Sequence, residues 1–466
     1  MLWRRLRTFS LALFFVIYGR EICAYAVPTH EELIDLTWQQ SIVPLLLARY
    51  PHLTAAQLRE ARAYAYGGCV IQDIGYYPGG DRFFSNLTHY VRTGDFVVNL
   101  FRDAHNADEL AFAVGALSHY IGDSIGHSEA TNVAVPVEFP GLRARYGDVV
   151  NYAEGEHQHV QTEFAFDIDQ IVHQRLAPLR FERQVGLKVP EHQLVLAFYQ
   201  TYGINGFADR PKQFIKVRAY RFSVHTFIPH IAFAVALLHR RHEPRDPDTP
   251  DARAIEKEQA RVATENNWKK YRRKAGFETY ALACVLFILP KVGPLALVNV
   301  KGPTEQTEAE YMHSLVLSVD ALRLSLRRFT PPRAVGNDPA QKPAPSAPLP
   351  VDSHQEHIQG KFDSRHPLPN RDLDTGHVVQ PGGYVLTDDT YAELLRRLTH
   401  NPHQAIPPGI VRDIEAYYSD TTAPIHTRLN LKRWAEVQKD LKTLTKMPTS
   451  PEPNPYPTYA VAEGQG

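Results

Sequence analysis

Cysteine and methionine are nearly missing from this chain of 466 residues, with three of each. Soft thiolate and thioether chemistry is thereby close to excluded, and any bound metal has to rest on nitrogen and oxygen. An excess of one charge is lacking too: 51 Lys and Arg balance 51 Asp and Glu. Such a chain has no general affinity for phosphate backbones or anionic lipid. Long apolar runs are also absent. The run Tyr280 to Pro290, ended by Pro290 and Lys291, is too short to span a bilayer. It reads as a buried helix, with an interfacial membrane contact as the rival reading. What is present in quantity is histidine, 22 residues, within a 44% hydrophobic composition that suffices for a sizeable core in two or more units.

Residues 1–24 have a basic start (Arg4, Arg5, Arg7), an apolar stretch (Phe9 to Tyr18) and a small-residue exit, the pattern of a secretory signal. Cleavage after Ala24 or Ala26 both fit. Removing residues 1–24 takes away four Arg and one Glu and moves the formal net charge from 0 to −3. Either cut leaves Cys69 and Cys284, which an oxidising compartment could pair, although spacing cannot show them to be neighbours. The expected location is outside the cytoplasm, periplasmic or extracellular.

Helix signals dominate residues 25–240. Thr29 with Glu32, and Thr54 with Gln57, have capping-box spacing. Between about 69 and 105, Gly75, Pro78, Gly79 and Gly80 suggest a long loop. Helical periodicity resumes over 108–127, 151–176, from His192 and over 214–239. A helical extension follows over 251–330, then a Pro-rich linker (331–370), a small α-rich C-terminal domain (371–446) and a tail (447–466). No repeat is evident. The expected class is mainly α, a helical bundle.

On a helical wheel, Leu110, Val114, Leu117, Ile121 and Ile125 form one stripe, and His119, Asp123 and His127 line the opposite side. Three potential ligands at i, i+4 and i+8 drift by only about 80° and can point into one cavity. Gly122 and Gly126 suit the close approach of another backbone. In the next helix His159 and Glu163 repeat the i, i+4 spacing, with Asp167 one turn on, and facing helices that each bring His and carboxylate can build a polynuclear site. His30, Asp73 and His89 lie upstream; singly each reads as a cap, turn or surface residue. Asp372, Asp374 and Asp388 read as turn and cap residues, and the C-terminal piece suggests no chemistry.

His30, Asp73, His89, HYIGDSIGH (119–127) and HVQTE (159–163), in that order, resemble the zinc-dependent phospholipase C family. The related fungal zinc nucleases use the same ligand order. The closer resemblance is to bacterial members, through YAVPTHEELID, YGGCVIQDIGYYP, THYVRTGDF and TEFAFD, and it extends to LPNRDLDTG and DDTYAELL. The resemblance implies a bundle with three zinc ions. One would take Asp73, His89, His119 and Asp123, and a second His127, His159 and Glu163. A third would take His30, Asp123 as a bridge, and the mature N-terminus at Tyr25. This chain departs from the well-known members in two places: three residues, not five, separate Asp123 from His127, and Tyr25 stands where they have Trp.

The implied reaction is hydrolysis of a phosphodiester by a zinc-bridging hydroxide, since zinc lowers the pKa of water from about 15.7 to about 7. Asp73 is the expected base or orienting group. Tyr76, Tyr77, Phe83 and Phe84, with Tyr90, could cage a choline head group, stack a nucleobase or simply pack on the bundle. Expected partners are a phospholipid or other phosphodiester, with peripheral membrane contact and no stable nucleic-acid partner. The alternatives are a single-strand nuclease-like phosphodiesterase and a non-catalytic exported zinc-binding protein.

Overall fold

Every residue from Leu110 to Gly126 is buried, so the helix that the wheel divides into two faces lies at the centre of the molecule, with both faces covered. The computed structural model describes residues 27–76, 80–204, 228–239, 246–272, 279–280, 282–284, 303–330 and 367–452. Residues 1–24, expected to be a secretory signal, lie outside them, as do Tyr25, Tyr77, most of the Tyr280 run and most of the Pro-rich linker. The fold is mainly α. Its principal helices are α1 (Val27–Thr37), α2 (Ala55–Gly68), α3 (Arg82–Tyr90), α4 (Thr93–Arg102), α5 (Ala107–Gly126), α6 (Tyr152–Val172), α7 (Glu191–Tyr202), α8 (Ile228–His239), α9 (Pro250–Glu265), α10 (Glu305–Phe329), α11 (Val385–Thr399), α12 (Pro408–Ser419) and α13 (Leu431–Leu444). Among the described residues, β structure is limited to two isolated pairs, Arg371 with Val378 and Ile406 with Thr449.

Helices α1, α2, α4 and α10 all pack on α5. The α2–α5 contact is the closest because both helices present glycine. A Cβ on Gly115 would lie 2.2 Å from the Ala65 carbonyl oxygen, and one on Gly68 2.1 Å from that of Phe112. Gly122 instead makes room for side chains of α1, Leu33 and His30. The 69–105 stretch, expected to be a loop, is mostly α3 and α4 after a single 3₁₀ turn, Gln72–Gly75. Its glycines mark the turn itself: a Cβ on Gly75 would meet the Asp81 carbonyl at 2.2 Å.

Thr54 and Gln57 form the capping box of α2. Thr29 does not cap α1, which already begins at Val27. It sits inside the helix and donates to Asp167 Oδ1 (2.5 Å), tying α1 to α6. Asp167 is thus a tether between helices. Cys69 is a buried free thiol and Cys284 an exposed one.

Residues 367–452 share the main apolar core: Leu373, Tyr391, Leu394 and Ile410 belong to the same cluster as Phe84, Leu87 and Tyr202. The contact is polar as well, through Tyr199 Oη to the Ala405 carbonyl (2.9 Å) and Tyr120 Oη to the Pro369 carbonyl (2.6 Å). Burial on this scale brings the C-terminal piece against the bundle at α3.

Glu32, on α1, is 3% exposed. Burial raises its carboxyl from an ordinary 4.5 to about 8, against the opposing hydrogen bond from Gln259 Nε2 (2.6 Å). The folded chain therefore keeps a proton that the unfolded chain releases. Stability that is complete below pH 4.5 is lost as pH rises through 8. Glu32→Gln removes this titration, and its advantage over the parent is expected to grow between pH 5 and 8 by on the order of a few kcal/mol. Urea unfolding at the two pH values measures it, and a pH-independent difference would refute the assignment.

Candidate metal centre

The 3₁₀ turn after α2 carries Asp73, and its position is set by two polar side chains. Gln72 Nε2 donates to the Ala116 carbonyl of α5 (3.0 Å), and Ser85 Oγ of α3 accepts from the Gly75 amide (2.8 Å) while donating to the Gln72 carbonyl. Asp73 is held by these bonds against α3 and α5. His89 comes from the last turn of α3, and His119 and Asp123 from α5.

These four side chains converge. His89 Nε2 lies 3.2 Å from Asp73 Oδ1 and 3.2 Å from Asp123 Oδ2. His119 Nε2 lies 3.1 Å from Asp123 Oδ2, 3.8 Å from Asp73 Oδ1 and 3.4 Å from His89 Nε2. Four donors around a tetrahedral zinc at about 2.0–2.1 Å sit roughly 3.3–3.4 Å from one another, so the spacing fits that ion. The other Asp123 oxygen, Oδ1, faces His30 Nε2 at 3.2 Å, and the His30 ring stacks on His119 at 4.3 Å between centroids. Asp123 is thus shared between the four-donor group and His30. Tyr25, the remaining member of the implied third site, lies outside the described residues.

His127 is four residues beyond Asp123, at the start of a wide π turn, His127–Thr131. Such insertions redirect side chains and recur at functional sites. Here the turn delivers His127 to α6, with Nε2 3.0 Å from Glu163 Oε1; His159 Nδ1 lies 3.2 Å from the same oxygen. His127, His159 and Glu163 form a second group whose donor atoms lie within 4.8 Å of one another.

Hydrogen bonding sets the tautomers. His89 Nδ1 faces the Ser85 carbonyl (2.7 Å), His119 Nδ1 the Cys69 carbonyl (2.9 Å) and His127 Nδ1 the Leu373 carbonyl (3.0 Å). A carbonyl only accepts, so each Nδ1 bears hydrogen and each neutral ring turns an Nε2 lone pair inward. Both oxygens of Asp73, Asp123 and Glu163 are buried without a hydrogen bond among the described residues. Inward lone pairs and carboxylates at these distances require a cation between them. Without one, His89 and His127 hold protons. Burial alone would lower His89, but the facing carboxylates of Asp123 and Asp73, each 3.2 Å away, carry it well above its ordinary value. Burial likewise works against His127, and the Asp123 charge and the facing Glu163 carboxylate at 3.0 Å push it up to about 10. Asp123 is held well below the usual carboxylate range by His119 and His127, despite its burial.

A small cleft opens on the second group, walled by Tyr76, Tyr90, Tyr152 and Asp374. Tyr76 lies 5.4 Å from the His89 ring and Tyr152 5.6 Å from that of His159. Two aromatics expected at such a pocket are placed elsewhere. Phe84 stacks on Phe198 in the core (4.9 Å), and Phe83 lies under the Arg397 guanidinium (3.8 Å). Phe84 thus meets α7, and Phe83 meets α11.

Tyr152, Asn132 and Asp374 are the site residues that sequence reasoning missed. Asp372 is the turn residue expected, its Oδ1 accepting from the Asp374 and Thr375 amides (3.0 and 3.1 Å). Asp374, by contrast, accepts from Tyr90 Oη (2.9 Å) and Tyr384 Oη (2.7 Å) beside His127. Its only sequence signal was the LPNRDLDTG stretch, which carried a resemblance but no spacing argument.

No curated protein and no solved structure matches the chain. A family model described as zinc-dependent phospholipase C matches residues 29–204, a span that contains both donor groups. With two buried sets of His and carboxylate ligands, that match supports a zinc phosphodiesterase type of function. Over residues 29–204 the chain thus matches the zinc-dependent phospholipase C family.

Proposed function

We propose that this protein is an exported zinc-dependent phosphodiester hydrolase of the phospholipase C type, acting on phospholipid. The observation that carries the reading is the pair of buried donor groups, four-membered and three-membered, meeting beside an aromatic pocket. Asp73, His89, His119 and Asp123 would hold one zinc, His127, His159 and Glu163 a second, and His30 with Asp123 and the processed N-terminus at Tyr25 a third. Bound zinc supplies positive charge for the phosphate oxygens and makes water acidic near neutral pH.

The remaining work falls to the chain. Asp73, whose oxygens no donor occupies, takes the proton of the attacking water at a carboxylate oxygen. Tyr76 and Tyr152 wall the pocket, orient the ester and exclude bulk water. Export is supported by the basic, apolar and small-residue order of residues 1–24.

The test is zinc analysis of the processed protein followed by three substrates: phosphatidylcholine vesicles, a chromogenic phosphodiester and single-stranded DNA. Diacylglycerol release from the vesicles is expected. Cleavage of DNA alone would replace the phospholipase reading by a nuclease, and tight zinc with no hydrolysis would leave a binding protein.

A further inference from the structure

Two consecutive peptide carbonyls of the C-terminal piece reach both histidines of the three-donor group. The Leu373 carbonyl accepts from His127 Nδ1 (3.0 Å). The Asp374 carbonyl accepts from Asn132 Nδ2 (2.7 Å), and Asn132 Oδ1 then faces His159 Nε2 (3.0 Å). Each contact fixes the N–H on the outward nitrogen of its ring and turns the inward nitrogen toward Glu163, at 3.0 and 3.2 Å. The four-donor group is built differently: its histidines rest on the Ser85 and Cys69 carbonyls, both inside the span that the family model matches.

The 371–376 turn is tightly held where it meets the site. Asp372 accepts from two amides of the turn and from Thr387 Oγ1 (3.1 Å). The Leu373 amide donates to the His89 carbonyl (3.0 Å). Gly376 has φ +72, and a Cβ there would lie 2.4 Å from the Ser124 carbonyl oxygen of α5, one residue past Asp123. Only glycine satisfies both the left-handed backbone and this approach.

We propose that the 371–376 turn, supplied from outside the matched family span, is the positioning element of the three-donor metal site. Loading of His127, His159 and Glu163 depends on its docking more than loading of Asp73, His89, His119 and Asp123, whose side chains the turn does not orient. Partners that orient a histidine ligand are commonly worth 10–100-fold in metal affinity. The inference rests on the metal reading of the site and not on hydrolysis.

The experiment uses the full processed chain and three variants: Gly376→Ala, which displaces the turn, Asn132→Ser, which cuts the link to His159, and Tyr384→Phe, which removes one tether of Asp374. Zinc competition against a chelator and cadmium-113 NMR report each site without substrate. The expected result is a loss of about 10–100-fold in affinity at one site per chain for Gly376→Ala and Asn132→Ser, and a smaller loss for Tyr384→Phe. One cadmium resonance should shift or broaden and the four-donor resonance should stay. Unchanged affinity at every site would overturn the proposal, as would equal weakening of both groups. If Gly376→Ala does not fold, Asn132→Ser decides by the same criteria. A chain that binds metal as described but hydrolyses nothing would overturn the proposed function and leave this inference standing.

Discussion

Asp73→Asn is expected to lower phosphodiester turnover by about 10²–10⁴-fold, the usual contribution of a positioned general base, while the protein still binds zinc. The asparagine keeps the shape and an oxygen donor toward His89 and His119, so the turn held by Gln72 and Ser85 persists. What it loses is the ability to take a proton, in a position where both carboxylate oxygens are buried and free of hydrogen bonds among the described residues. The check is kcat/KM with a chromogenic phosphodiester beside zinc content on the same preparation. A variant with its full zinc and undiminished turnover would remove Asp73 from the reaction.

Stripping zinc with a chelator is expected to lower the thermal midpoint by on the order of 10 °C, reversibly on adding zinc. A ligand held at about 1,000 times its Kd stabilises the folded state by about 4 kcal/mol, and each kcal/mol moves the midpoint of a domain this size by a few degrees. The physical source is local. Asp73, Asp123 and Glu163 are at most 2% exposed, and without the ion protonated His89 and His127 are what offsets their charge. Zinc uptake should therefore release protons, which buffer-dependent calorimetry detects. A midpoint indifferent to chelation would mean that the donors are satisfied in some other way.

Much of this architecture could be read from residue spacing because helical periodicity is local. The buried helix α5, the capping box at Thr54 and the i, i+4 placement of His159 and Glu163 all follow from 3.6 residues per turn. The α3 and α4 segments resemble loop in sequence because Gly75 and Gly80 dominate the pattern, although those glycines serve a single turn, Gln72–Gly75, and its approach to Asp81. Phe83 and Phe84 looked like pocket walls for want of any information on which face of α3 meets the core.

By itself the amino-acid order determined which donors exist, nitrogen and oxygen with almost no sulfur, and which of them share a helix face. Only the tertiary structure decided how they divide: Asp123 between the four-donor group and His30, and His127 sent to α6 by a wide turn. It alone also brought the 371–376 turn to the second group. The contacts there are made by peptide carbonyls, of Leu373 and Asp374. Every residue carries that group alike, so no pattern of side chains announces where it will be used.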